Sequence, residues 1–212
     1  MSDTQQREAA MRFSEYWKGK DYGKGGNKMD SDSVKDSCFK NDTGRFYCDE
    51  SGMITFFQSD EKNKLHQPPH GFGNEQYMKN LVIPNGVKRI GFFDDNDYKM
   101  DVSSVTFRGI HVVGKVRFPE TLISLGAGTF SDCLMMDLEL TASLVEIGAG
   151  VMMGCYIHKL RIPENMPIPH TQELFCVGRQ FKETIIDTLI VPQNYPYKGL
   201  MPEALIENIV FY

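Results

Sequence analysis

The side chains able to do chemistry are scattered along the chain, and each candidate grouping can be tested on its spacing. His66 and His70 flank Pro68-Pro69. Four-residue spacing suits a metal pair on a helix, where both rings share a face, and two prolines forbid that helix. The other histidines, His111, His158 and His170, fall in different stretches, so no metal site is expected. Asp94, Asp95, Asp97 and Asp101 form the densest acidic cluster. A calcium loop wants D-x-[DN]-x-[DN]-G and a distal Glu. Neither the Gly nor the Glu is placed, so a solvated turn is expected. From Tyr16 to Lys28 glycines and lysines alternate, but a phosphate loop needs G-x-x-x-x-G-K-[ST] after a strand. Lys24 is followed by Gly25 and no strand precedes it, which reads as a linker. The five cysteines are Cys38, Cys48, Cys133, Cys155 and Cys176. An odd count does not suggest a disulfide framework. Cys38 and Cys48 could bridge under oxidising conditions, and reduced thiols are the expectation. No Ser/His/Asp or Cys/His set stands in a nucleophile context. The expectation is a non-enzymatic chain with no catalytic residue, metal or cofactor.

Stepping from side chains to the elements that hold them, 212 residues suffice for one core and a small appendage. Hydrophobic residues at 41% and charged residues at 24% describe a globular chain rather than a disordered one. With 23 Lys+Arg against 28 Asp+Glu, the basic excess that phosphate neutralisation needs is lacking. A dedicated nucleic-acid binder is excluded on that ground. No apolar run approaches the ~20 residues of a membrane span. The opening MSDTQQREAA has no apolar stretch of signal-peptide type. Cytoplasmic placement is therefore expected for the chain as written, and cell-surface or secreted placement if its start has been trimmed. Asn41-Asp42-Thr43 is a glycosylation sequon, relevant in a secretory eukaryotic setting.

Residues 3–17 read as a helix. Ala9, Ala10, Phe13, Tyr16 and Trp17 fall at helical spacing, and Asp3 with Gln6 forms a cap pair. Residues 18–44 are polar and glycine-rich and read as loop. RFYC and MITFF around DESG predict a hairpin, with strands near Arg45–Cys48 and Met53–Phe57. Residues 1–75 are thus expected to form an N-terminal part and residues 76–212 a second.

The second part repeats itself. VRFPETLISLGAGTFSDC at 116–133 aligns with LELTASLVEIGAGVMMGC at 138–155, an offset of 138 − 116 = 22 residues. The same offset reaches Leu160-Arg161-Ile162-Pro163. LVIPNGVKRIG at 81–91 repeats the pattern upstream, and Leu189-Ile190-Val191-Pro192 and Ile209-Val210-Phe211 extend it downstream. Val105-Thr106-Phe107 is read as opening a shortened unit. The expected strand starts are 81, 105, 116, 138, 160, 189 and 209. A period in the twenties with an apolar–x–apolar strand is the mark of a leucine-rich-repeat solenoid. One unit cannot bury its apolar face, so units stack. The fold class expected is mainly β, a right-handed solenoid with one parallel sheet, preceded by an N-terminal helix and β-hairpin.

The form of these units resembles the BspA-like class of leucine-rich repeats, over about residues 80–212 and most closely over 116–163. The resemblance implies that Gly91, Gly126 and Gly148 open tight return turns. It also implies that Phe130, Cys133, Met152 and Cys155 point into the core as a ladder. Burial of Cys133 carries the further expectation that a hydroxyl there would find no partner. Many members of that class bind proteins at cell surfaces, which implies a protein partner. A shorter stretch, EAAMRFSEYWKGKDYGKG, resembles the opening of certain large bacterial restriction–methylation enzymes.

Strand alternation turns Lys115 and Arg117 outward, then Asp137 and Glu139, then Lys159 and Arg161. The outer face should therefore read plus, minus, plus across three rungs, a pattern that largely satisfies itself. Arg117, Glu139 and Arg161 are the candidate protein-binding residues. The leading functional expectation is a non-enzymatic protein-interaction module, with no nucleic acid and no membrane span. The alternatives are an enzyme or enzyme accessory whose site lies in the N-terminal segment, and a fragment of a larger restriction-type system.

Overall fold

The structure, a computed structural model, describes residues 37–64, 77–91, 107–168, 170–171 and 180–212. The helix expected over 3–17, His66, His70, the aspartates at 94–101 and Cys176 lie outside them. The first elements are β1 (Ser37–Asn41), β2 (Gly44–Cys48) and β3 (Ile54–Ser59), an antiparallel sheet of order β1-β2-β3. The expected hairpin is β2 and β3. Reading 18–44 wholly as loop is corrected by β1. Its Phe39 packs on the core and Asn41 Nδ2 donates to Val82 O at 2.7 Å. A strand with one apolar anchor shows no period in the sequence.

The main sheet contains β4 (Tyr77–Met78), β5 (Leu81–Val82), β7 (His111–Arg117), β9 (Leu134–Glu139), β11 (Tyr156–Arg161), β13 (Ile185–Val191) and β14 (Leu205–Phe211). Its strands are parallel in the order β14-β13-β11-β9-β7-β4, with β5 also paired to β7. One row runs Leu81, Val116, Leu138, Leu160, Leu189, Ile209 from strand to strand. These are the residues expected to start the strands, with 105 left out, but all except Leu81 lie inside their strands: β7, β9, β11, β13 and β14 begin four or five residues earlier. The first five are 0% exposed, and each such burial is worth roughly 1.5–3 kcal/mol. Pro84, Pro119, Pro163 and Pro192 each stand three residues on from this row, just past the strand end. Lacking an N–H, proline cannot extend a ladder, so the chain turns there.

The expected single parallel sheet is corrected to two. β6 (Arg89–Ile90), β8 (Ser124–Leu125), β10 (Glu146–Ile147) and β12 (His170–Thr171) form a second parallel sheet, order β12-β10-β8-β6. Each strand has two residues, set just before the return turn. Ile90, Leu125 and Ile147 point into the core from it. At the turn itself, a Cβ on Gly148 would collide with the backbone nitrogen of Ala127, so only glycine lets the units stack there. One short helix, α1 (Tyr197–Leu200), lies between β13 and β14.

Phe107 does not open a strand. It sits at the return-turn position of Phe130, with the rings stacked at 5.3 Å and 10°. Met152 and Phe181 continue that ladder. Phe107 thus belongs to a return turn, and Val116 follows Leu81 in the row; Val105 and Thr106 lie outside the described residues. Phe46, Cys48 and Ile54 of the antiparallel sheet join the same core as the repeats. Asn63 clasps the two parts. Its Nδ2 donates to Thr43 O at 3.2 Å and Asn80 O at 2.7 Å, and its Oδ1 accepts from Asn80 N at 2.9 Å.

Candidate functional site

Inward residues on the long strands are three apart at one point: Met135 and Leu138, Ile157 and Leu160, Ile186 and Leu189. Two neighbours therefore face outward together, as Met136 and Asp137, His158 and Lys159, Asp187 and Thr188 do. In β7 the ladder slips between Val112 and Lys115. Asn80 fixes this bulge by accepting from Lys115 N at 2.9 Å. The outer face is thereby divided. Its strand starts carry Tyr77, His111, Leu134, Tyr156 and Ile185, and its strand ends carry charge.

At the strand ends Arg117, Glu139 and Arg161 stand in register. Arg117 Nη2 lies 2.8 Å from Asp137 Oδ2 and its Nε 3.3 Å from Glu139 Oε2. Glu139 Oε1 reaches Arg161 Nε at 3.7 Å. The Arg161 guanidinium also lies over the Tyr212 ring, 4.5 Å from its centroid. Arg117 further donates to the carbonyls of Val116 and Asp137, each at 2.8 Å. The expected alternation of sign is present, though Asp137 serves Arg117 on the next rung rather than a lysine. Lys115 and Lys159 are exposed, and neither makes an ion pair among the described residues.

At the strand starts the structure gathers a polar group that the sequence did not indicate. The Tyr156 hydroxyl donates to Asp187 Oδ2, which also meets His158 Nδ1 at 2.8 Å. Asp187 is 8% exposed, and its Oδ1 is buried without a hydrogen-bond partner. The pair has the form of a base and its orienting carboxylate. Among the described residues, those beside it on the same face are Met136, Tyr156 and Glu207. Nearby, His111 is packed edge-on to Tyr77 at 4.5 Å, and burial lowers its pKa to about 4. Spacing offered no clue to these contacts, because they join different repeats.

The ladder residues lie inside. Phe130, Cys133, Met152 and Cys155 are at most 1% exposed. Cys133 Sγ donates to Phe107 O at 3.0 Å, and Cys155 Sγ to Phe130 O at 2.8 Å. Thr184 fills the same position in the next unit, and its hydroxyl donates to Met152 O. The expectation that a hydroxyl would find no partner here is therefore corrected: each unit supplies a carbonyl to the next. Burial raises the Cys155 pKa well above the ordinary thiol value, and contact with Cys133 adds to it. Cys38 and Cys48 are free thiols. Cys48 pairs with Ser37 across β1 and β2, so Cys38, one residue along, leaves from the opposite face.

No group of three or more His, Cys, Asp or Glu side chains gathers for a metal among the described residues. No described helix is long and apolar enough to cross a membrane. A family model, the BspA type leucine rich repeat region, matches residues 100–194 in six copies. The match does not reach residues 8–25, where the restriction–methylation likeness was seen. No curated protein and no solved structure matches the chain.

Proposed function

We propose that the BspA-type repeats at residues 100–194 make this chain a non-enzymatic protein-interaction module, and that the strand-end half of the outer face is its binding surface. The observation that carries this reading is the row Val82, Arg117, Glu139, Arg161, Ile190, Val210, one residue from each successive strand. Six strands at ~4.8 Å spacing give a stripe ~24 Å long. Val82 and Val210 are exposed apolar ends at 37% and 48%, and Tyr212 flanks the second. Between them Lys115, Arg117, Lys159 and Arg161 oppose only Asp137 and Glu139. The stripe is thus a local cationic excess on a chain of formal charge -5. An acidic protein segment with apolar flanks is the complementary partner. Rigid strands hold the side chains in place before binding, which lowers the ordering cost of association. Winding is taken as right-handed, following the rule for parallel connections. Residues 37–64 serve as the N-terminal cap of the stack.

The test is affinity capture from the source cells with wild-type protein and a Lys159→Glu/Arg161→Glu variant. The proposal expects a partner with an acidic segment that is retained by the wild type and lost by the variant, while the variant stays folded, its melt lowered only by loss of the Arg161 contacts to Glu139 and Tyr212. Capture that is indifferent to this double charge reversal would refute the assignment of the face.

A further inference from the structure

The two arginines of the strand-end row look alike in sequence and differ in what they have left to donate. A guanidinium carries five N–H donors in a planar fork. Arg117 has spent its fork. Its Nη1 donates to Val116 O and Asp137 O at 2.8 Å each, its Nη2 to Asp137 Oδ2 at 2.8 Å, and its Nε lies 3.3 Å from Glu139 Oε2. Arg161 keeps most of its own. Its ion pair among the described residues is Nε to Glu139 Oε1 at 3.7 Å, longer than the ~2.7–2.9 Å of a charge-assisted hydrogen bond. No hydrogen bond from its Nη1 or Nη2 is found among the described residues. The side chain is 40% exposed. Against it lies the Tyr212 ring, and that ring is held in place. The Tyr212 hydroxyl donates to Ile162 O at 2.8 Å, its N–H donates to Val191 O at 3.3 Å, and its carbonyl accepts from Gln193 N at 3.2 Å. On the next two strands Ile190 and Val210 stand in register with Arg161.

We infer that Arg161, backed by Tyr212, is the anchor for one carboxylate of an extended acidic segment, an assignment that rests on the strand-end half being the binding surface. The two Nη groups meet the two carboxylate oxygens side by side. A guanidinium already stacked on a fixed ring loses little freedom on pairing. Strand steps of ~4.8 Å put Ile190 ~5 Å and Val210 ~10 Å from Arg161 along the row. An extended segment crossing the strands sets residues i and i+2 on one face ~6.7 Å apart. The residue two past the carboxylate therefore falls between Ile190 and Val210, and an apolar side chain suits it there. Exposed Lys159, two residues before Arg161 on the same face of β11, adds positive charge beside the anchor. Arg117 offers no second anchor, because a carboxylate there would have to displace Asp137 or Glu139. Glu139 touches the anchor's guanidinium from β9 and opposes the incoming charge. A singly charged carboxylate therefore fits better than a doubly charged phosphate.

The probe is a synthetic peptide, GSGESLGSG, with one glutamate and a leucine two residues on. It is titrated to millimolar concentration into the full chain and followed by NMR. The arginine side-chain Nε–H signals report on each fork separately, and the Arg161 signal is assigned by its loss in Arg161→Lys. The peptide should move the Arg161 signal and leave the Arg117 signal in place. Replacing its glutamate by glutamine should weaken binding at least about tenfold, as should Arg161→Lys, which keeps the charge and loses the fork. Glu139→Gln should tighten binding about twofold to threefold. An Arg161 signal that stays still would overturn the proposal, and so would equal binding of the glutamine peptide. Tighter binding of the same peptide with phosphoserine in place of glutamate would overturn the choice of a carboxylate. Should Arg161→Lys bind the peptide as the wild type does, while the Lys159→Glu/Arg161→Glu variant still loses its captured partner, the anchor falls and the binding face stands. Capture that survives the double charge reversal removes the face itself.

Discussion

His111 offers a stability measurement whose size can be worked out in advance. Its ring is 3% exposed and packed edge-on to Tyr77. Burial lowers its pKa from 6.5 to about 4. Below pH 6.5 the unfolded chain takes up a proton at this imidazole that the folded chain refuses until about pH 4. The unfolded state then binds more protons, so stability falls as pH falls through this window and levels off below it. A shift of about 2.5 units corresponds to about 3 kcal/mol at the acid end and nothing above pH 7.5. Other groups titrate in the same range, so the quantity to measure is a difference. His111→Phe keeps a ring against Tyr77 and cannot protonate. Urea unfolding of both proteins at steps from pH 8 to pH 4 should give a gap that moves in favour of the variant by about 3 kcal/mol on acidification. A gap that stays constant with pH would show that the folded protein accepts the proton at no cost, and would refute the burial argument.

Three further outcomes follow from the contacts described. Glu139→Lys removes two half-exposed ion pairs and sets like charges in register, so melting at low salt should report a loss of about 1–2 kcal/mol, shrinking at high salt; an unchanged low-salt melt would show that the ladder is not structural. Cys155→Ser should cost within about 1 kcal/mol in urea unfolding, because Phe130 O can accept from the new hydroxyl as Met152 O does from Thr184; in the wild type, thiol labelling should find Cys38 fast and Cys155 slow. Asn63→Leu removes the side-chain partner of the Asn80 backbone N–H and C=O and one of the two donors to Thr43 O, which keeps Asp60 N, and should lower stability by about 1–3 kcal/mol, read as an earlier melt that begins with loss of the antiparallel sheet.

Rows that recur at a fixed offset were legible because burial imposes the same residue size at every turn of the solenoid. Leu81, Val116, Leu138, Leu160, Leu189 and Ile209 all fall on one rung line. Phe107 was misplaced because Val105-Thr106-Phe107 has the same apolar–x–apolar form as a strand start. Its stacking on Phe130 distinguishes the two, and that is a three-dimensional fact. The second sheet was not recognisable as strand, since its strands have two residues each, although Ile90, Leu125 and Ile147 recur with the repeat. The clasp at Asn63 is likewise invisible in sequence, as its partners Thr43 and Asn80 lie 20 and 17 residues away.

The same logic explains why the recurring cysteines are core rather than chemistry. The position before each strand holds Ile110, Cys133, Cys155 and Thr184 in turn. Three of the four donate to a carbonyl of the preceding unit. From Cys133 onward that position holds a small hydrogen-bond donor in a closed space and is indifferent to nucleophilicity. Outward positions are under no such constraint, and there the repeat leaves chemistry free to vary. His158 and Asp187 meet at 2.8 Å across β11 and β13. Their separation is 187 − 158 = 29 residues, whereas the regular period would put His158 beside Gln180. The extra length of that one unit is what hides the pair. In a solenoid, then, periodicity exposes the core, and its interruptions decide which outward side chains become neighbours.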